Sequence, residues 1–215
     1  MWPTDENRQA WEQRYATRSP GLPDAVRERL PNVEGRHVLH LPCGTGEAAA
    51  QLTELGALVT GVDPSEAKLA AARQRAPDAA FFQAELDELP LQLRRNRFGL
   101  VYAGEGALGM VRELGLFASA LASALRKNGR LILHDSHPVF LCIDPIGLRW
   151  RDSYFTPGLW RLGEIAVAFG APLDVTELAE LPPATGDPGA ARIDPRMPVN
   201  FLLDATKGEG VSSRA

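Results

Sequence analysis

Val38-Leu39-His40-Leu41-Pro42-Cys43-Gly44-Thr45-Gly46-Glu47 is an apolar run that enters a glycine turn and leaves it as the start of a helix. Glycine at 44 and 46 lets the backbone turn sharply and approach a ligand closely, because no Cβ stands in the way. The helix behind the turn offers amide donors that have no intrahelical partner. Asp63 falls at the tip of the next apolar run, where a carboxylate can accept both hydroxyls of an adenosine ribose. Strand, glycine turn, helix, strand and acid, in that order, predict a nucleotide-cofactor crevice.

The glycines alone leave two cofactor classes open, since Gly44-x-Gly46-x-x-Ala49 also fits a dinucleotide fingerprint. Three features favour S-adenosyl-L-methionine: an acidic loop, Glu85-Leu86-Asp87-Glu88-Leu89-Pro90, after the third strand; a glycine-rich end to the fourth; and a last strand reached by a long connection. An NAD(P)-dependent oxidoreductase is the alternative. It lacks one expected pairing, because no tyrosine here has a lysine four residues later. A binding protein without turnover is a third reading.

Outward from the glycine turn, strands and helices alternate, the mark of a parallel sheet covered on both faces. Strands are expected over 37–41, 57–62, 79–83, 98–103, 130–134, 175–181 and 199–205, and helices over 46–55, 65–75, 113–126 and 159–169. The helix over 113–126 carries Leu114, Phe117, Leu121 and Leu125 at helical spacing and is stopped by Asn128-Gly129. Upstream, Thr4 followed by Asp5 and Glu6 predicts a helix over 4–15, and a second short helix is expected over 23–31. Residues 182–198 are too rich in proline for regular structure.

A chain of 215 residues with 45% hydrophobic and 23% charged residues buries one substantial core and points to one domain. The expected division is a helical cap over 1–31, a cofactor-binding core over 36–136, and a segment over 137–215 that covers the acceptor and supplies the last strands. A net charge of -4, with Lys and Arg spread along the chain, argues against a nucleic-acid partner. No window has the roughly 18 apolar residues a membrane span needs, and no basic-then-apolar leader opens the chain, so a cytoplasmic enzyme away from membranes is expected. Two cysteines, Cys43 and Cys142, are too few for a disulfide framework or a thiolate zinc cluster. His37, His40, His134 and His137 show no paired helical spacing, so no metal centre is expected. The oligomeric state is not encoded in any of these features.

Leu41-Pro42-Cys43-Gly44-Thr45-Gly46, Gly61-Val62-Asp63-Pro64-Ser65 and the run from Leu125 to Leu131 resemble class I S-adenosylmethionine-dependent methyltransferases over nearly the whole chain. Val38-Leu39-His40-Leu41, the run from Tyr102 to Leu108, His137-Pro138-Val139 and Leu162-Gly163-Glu164-Ile165 look like a bacterial branch of small members of that family. The resemblance implies an α/β, Rossmann-like fold: a mainly parallel seven-stranded sheet with an antiparallel last strand and helices on both faces. It implies cofactor contacts from Leu41, Pro42, Cys43, Gly44, Gly46 and Pro64, a ribose contact from Asp63, and adenine contacts near Glu85 and Leu86. It places the methionine end and the substrate region around Ala103 to Gly106, with Ala103 and Gly104 as cofactor contacts. Two positions depart from the family pattern: His40 stands where an acid is usual, and Pro42 where a glycine is usual. That acid helps to hold the methionyl ammonium in the family, so the change bears on cofactor affinity. The narrower branch also tends to carry His there.

Methyl transfer from a sulfonium needs alignment more than covalent help, so a base is required only if the acceptor is a hydroxyl or a protonated amine. His134, His137 and Glu105 are the candidates, with His137-Pro138 read equally as a pair that shapes a loop. Cys43 is expected to be a buried filler. Asp135 and Ser136 make no hydrolase triad with His134, since neighbours on a strand point to opposite faces. Trp150, Tyr154, Phe155 and Trp160 either cover an apolar acceptor or anchor their segment to the core. A small-molecule acceptor is the expectation.

Overall fold

The structure is a computed structural model, and the residues it describes are 21–104, 106–144, 149–155, 159–183, 194 and 196–208. The expected helix over 4–15, Glu105 and most of the proline-rich connection lie outside them.

The first strand, β1 (His37–Leu41), shows why the sheet is covered on both sides. Val38 packs into one apolar cluster, while Leu39 and Leu41 pack into another. Alternating side chains of one strand thus face two helical layers, which a fully buried parallel strand requires. β2 (Leu58–Asp63), β3 (Ala80–Gln83), β4 (Phe98–Ala103) and β5 (Leu125–Ser136) join it in parallel. A hairpin of β6 (Ile143–Asp144) and β7 (Arg149–Trp150) stands apart from the main sheet, which β8 (Asp174–Leu181) and β9 (Asn200–Thr206) complete. The strand order is β3-β2-β1-β4-β5-β9-β8, with β9 antiparallel to both its neighbours. The winding reverses between β1 and β4, and the crevice above such a reversal is where open α/β sheets bind ligands.

Helices α1 (Asp24–Arg27), α2 (Glu47–Glu54), α3 (Glu66–Arg75), α4 (Leu114–Ala124), α5 (Pro138–Leu141) and α6 (Leu162–Gly170) fill the connections. Ser65 caps α3 as the Asp63-Pro64-Ser65 signal predicts, its hydroxyl accepting the Lys68 amide. Phe117 of α4 meets Phe169 of α6 edge to face, with ring centres 6.1 Å apart. No helix among the described residues is long and apolar enough to cross a membrane.

Three expectations are corrected. Helix α4 stops at Ala124, and β5 runs from Leu125, five residues before its expected start at Arg130. Leu125 is buried and pairs with Phe98, the register then shifts, and Asn128 takes a φ of 58° in the bulge. Lys207 reaches back to this corner and donates to the carbonyls of Ala122 and Leu125, at 2.6 and 2.9 Å. Helix α1 ends at Arg27, short of the expected 31, and Arg29 beyond it pairs with Glu177 of β8 at 2.7 Å. The stretch over 136–157, for which the sequence predicts no strand or helix, holds α5 and the small hairpin. Of the aromatic residues expected to cover an acceptor or anchor their segment, Trp150 and Phe155 are exposed rather than anchored, whereas Trp160 packs on the core.

Candidate active site

The glycine turn is built as its sequence requires. Gly44 and Gly46 take φ values of 55° and 89°, in the left-handed region that side chains avoid. A Cβ on Gly46 would stand 2.9 Å from the Ala72 Cα, so α2 and α3 touch at this point. The turn is tied to β2 twice: the Cys43 amide donates to the Val62 carbonyl at 2.8 Å, and the Gly44 amide to the Asp63 Oδ2 at 3.0 Å. The other Asp63 oxygen accepts the Ser65 amide at 2.9 Å. Asp63 is fully buried, and that burial raises its pKa against the pull of these two amides and Lys68. Burial beside Asp63 also pushes the Cys43 thiol up, so Cys43 is the protonated filler expected of it.

Across the crevice, the Gly104 amide donates to the Leu41 carbonyl at 2.9 Å and joins the end of β4 to the end of β1. A Cβ on Gly104 would lie 3.4 Å from the Tyr102 hydroxyl and 3.6 Å from the His40 Nε2. The His40 and Tyr102 rings stack, 4.9 Å apart and within 10° of parallel. Beyond them His134, on the same sheet face by its pairing opposite Leu202, is also buried. Burial lowers the pKa of both histidines to about 4, so both are neutral at pH 7. The Nδ1 atoms of His40 and His134 have no hydrogen-bond partner among the described residues, an unmet polar demand that a bound group or water would satisfy.

Asp135 points to the opposite face. Its carboxylate accepts the Gly106 amide at 2.9 Å, the Leu108 amide at 2.9 Å and its own neighbour, the Ser136 amide, at 2.7 Å. This separates it from His134, as strand geometry dictates. His137 is engaged on both sides: its Nδ1 accepts the Val139 amide at 3.1 Å, capping α5, and its Nε2 lies 2.9 Å from Glu180 of β8. With Nδ1 accepting, the proton sits on Nε2 and is donated to Glu180. Burial lowers the His137 pKa against the pull of Glu180.

The fold therefore brings Pro42, Cys43, Gly44, Gly46, Asp63, Ala103 and Gly104 to one crevice. Leu41, Ala103 and Leu86 are fully buried, and their side chains belong to the core. Glu85 and Pro64 are half-buried at its edge. Asp135 and Tyr102 are the residues that sequence reasoning missed. The alternation along β5 was the available signal, since it turns Asp135 toward the β4 loop once it turns His134 away.

These parts fit a nucleoside cofactor: a glycine cradle at a helix start, a second glycine opposite, and unsatisfied imidazoles beside it. Residues 38–129 match the family model described as Methyltransferase domain. Residues 38–129 thus carry a methyltransferase domain, and the chain is similar to class I S-adenosylmethionine-dependent methyltransferases. That likeness favours S-adenosylmethionine among the two cofactor classes left open by the glycine spacing. A solved S-adenosylmethionine dependent methyltransferase from Mesorhizobium loti is 26% identical with a TM-score of 0.72, over 85% of this chain and 96% of that one. The dTDP-3-amino-3,4,6-trideoxy-alpha-D-glucopyranose N,N-dimethyltransferase of Streptomyces venezuelae is 29% identical over 119 residues, 55% of this chain and 49% of that protein. The trans-aconitate 2-methyltransferase of Delftia acidovorans is 43% identical over 107 residues, 49% of this chain and 40% of that protein. The chain thus matches less than half the length of these two relatives. The methyltransferase domain match covers β1 to the bulge of β5 and excludes His134, Asp135 and His137.

Proposed function

We propose that this chain transfers the methyl group of S-adenosyl-L-methionine to a small-molecule acceptor by direct displacement. The observation that carries the reading is the meeting of two glycine-bearing turns, 42–46 and the one opening at Gly104, over the point where the sheet reverses its winding. The small acceptor is supported by relatives named for an amino sugar nucleotide and for trans-aconitate.

The cofactor supplies a methyl group on a sulfonium that is already a good leaving group. In this reading Pro42, Cys43, Gly44 and Gly46 cradle it through the backbone, with Leu41 behind them. Asp63 and Pro64 take the ribose side, Glu85 and Leu86 the adenine side, and Ala103 and Gly104 the methionine end. The protein then has to hold nucleophile, methyl carbon and sulfur in line, and orientation of this kind is worth up to roughly 7–11 kcal/mol. For an acceptor that carries a proton, His134 is the first candidate base because it is neutral and its Nδ1 is unengaged. His137 must first give up a bond to Val139 or Glu180, and Glu105 is the third candidate.

Calorimetry and thermal unfolding with S-adenosylmethionine, S-adenosylhomocysteine and NAD(P)H test the cofactor, since a ligand of the folded form raises its stability. Binding of the two sulfur ligands is expected. A panel of amines, carboxylic acids and alcohols, read by S-adenosylhomocysteine release, tests the reaction. Absence of binding by folded protein sinks the proposal; binding without turnover on any acceptor would leave a sensing protein.

A further inference from the structure

Each wall of the crevice is held by a buried carboxylate from the strand on its outer side. Asp63 of β2 holds the turn after β1, and Asp135 of β5 holds the turn after β4. The two cases differ in one respect. Asp63 faces the turn that cradles the cofactor, whereas Asp135, with 1% of its surface exposed, meets two amides that converge from a single loop. Gly106 takes a φ of 89°, and its N–H and that of Leu108 donate to the two oxygens of one carboxylate. Backbone amides arranged in this way form a concave anion site, as in the nests that hold phosphates and carboxylates. Here the anion comes from the chain itself.

We infer that Asp135 is a positioning residue that fills this nest and so sets the acceptor-side wall of the active site, a role that rests on the proposed methyl transfer. The geometry carries it. Gly104 is bonded to Leu41 at the start of the loop, and Leu108 opens the 3-10 turn Leu108–Met110 at its end. Between them the Asp135 carboxylate is a long-range tie, 29 residues from Gly106 and 27 from Leu108. Without it two amide donors lose a charged acceptor in a buried setting. Filling the nest internally also withdraws those amides from any carboxylate or phosphate on the acceptor.

The test is Asp135→Gly in the full chain, which leaves a carboxylate-sized space, with sodium acetate as the probe. Amide exchange at Gly106 and Leu108 is expected to rise roughly tenfold or more, as for loss of a hydrogen bond to a charged group. S-adenosylhomocysteine affinity, read by calorimetry, is expected to fall about as far, because the loop begins at Gly104. Acetate should restore both in a saturable way, and sodium chloride at equal ionic strength should not; a merely structural defect would not respond to the missing carboxylate alone. Unchanged exchange and affinity, or no response to acetate in a folded variant, overturns the inference. If Asp135→Gly does not fold, Asp135→Asn, which keeps one acceptor oxygen, must still raise exchange at Gly106 or Leu108, and unchanged exchange there overturns it equally. Wild-type protein that fails to bind S-adenosylhomocysteine, yet shows the exchange and acetate results, refutes the methyltransferase reading and leaves the clasp standing.

Discussion

The Asp63 Oδ2 accepts the Gly44 amide at 3.0 Å, so the acid at the end of β2 and the first glycine of the turn after β1 form one unit. An acid expected to meet a ribose is therefore also the clasp of the cradle. Asp63→Ala should weaken S-adenosylhomocysteine binding by about 10–100-fold, the range for loss of a hydrogen bond to a charged group. Asp63→Asn should lie between, since one oxygen can still accept an amide. Calorimetry on both variants checks this, and equal affinity in all three proteins would deny the clasp any part in binding.

The two buried histidines make stability depend on pH. Unfolded imidazoles bind a proton near pH 6.5, whereas His40 and His134 in the fold do so only near pH 4. Between those values the unfolded chain holds more protons, so stability is full above pH 6.5 and falls as pH drops toward 4. Each histidine contributes a slope of up to about 1.4 kcal/mol per pH unit. Urea unfolding at pH 4.5, 5.5 and 7 should show a shallower fall for His40→Gln and His134→Gln; an unchanged slope would contradict it.

Arg130 forms a two-pronged ion pair with Asp204, its Nε donating at 2.7 and 3.0 Å and its Nη2 donating as well. Asp204 is 3% exposed. Arg130→Met would leave that carboxylate buried without its cation and should cost roughly 2–3 kcal/mol, while the double variant Arg130→Met, Asp204→Leu should recover much of the loss. Urea unfolding of both variants beside the wild-type protein decides it.

Two glycines should respond in opposite directions. Gly46→Ala forces a Cβ to within 2.9 Å of the Ala72 Cα at a φ of 89° and should cost about 2 kcal/mol. Gly115, inside α4, has nothing within 4 Å of its missing Cβ, and Gly115→Ala should stabilise the chain by roughly 0.5–1 kcal/mol. Thermal unfolding reads both, and a neutral Gly46→Ala would mean that α2 and α3 yield freely.

Local signals carried the order of strands and helices and the place of the glycine turn. Alternation, capping residues and turn glycines act within a few residues, so β4, predicted over 98–103, is found as Phe98–Ala103, and Ser65 caps α3 as its sequence implies. The end of α4 was not legible. It depends on Leu125 pairing with Phe98 and on Lys207, more than eighty residues away, donating to its last carbonyls.

The same division runs through the site. Sequence alone determined which residue types reach the crevice, because the ends of β1, β2 and β4 converge wherever a sheet reverses its winding. Only the tertiary structure decided what each side chain is bonded to there. His137 is consumed by Val139 and Glu180, Asp63 is closed onto Gly44, and Asp135 is turned into the β4 loop. Those bonds follow from strand register and burial, which join residues distant in the chain, and no local period records them.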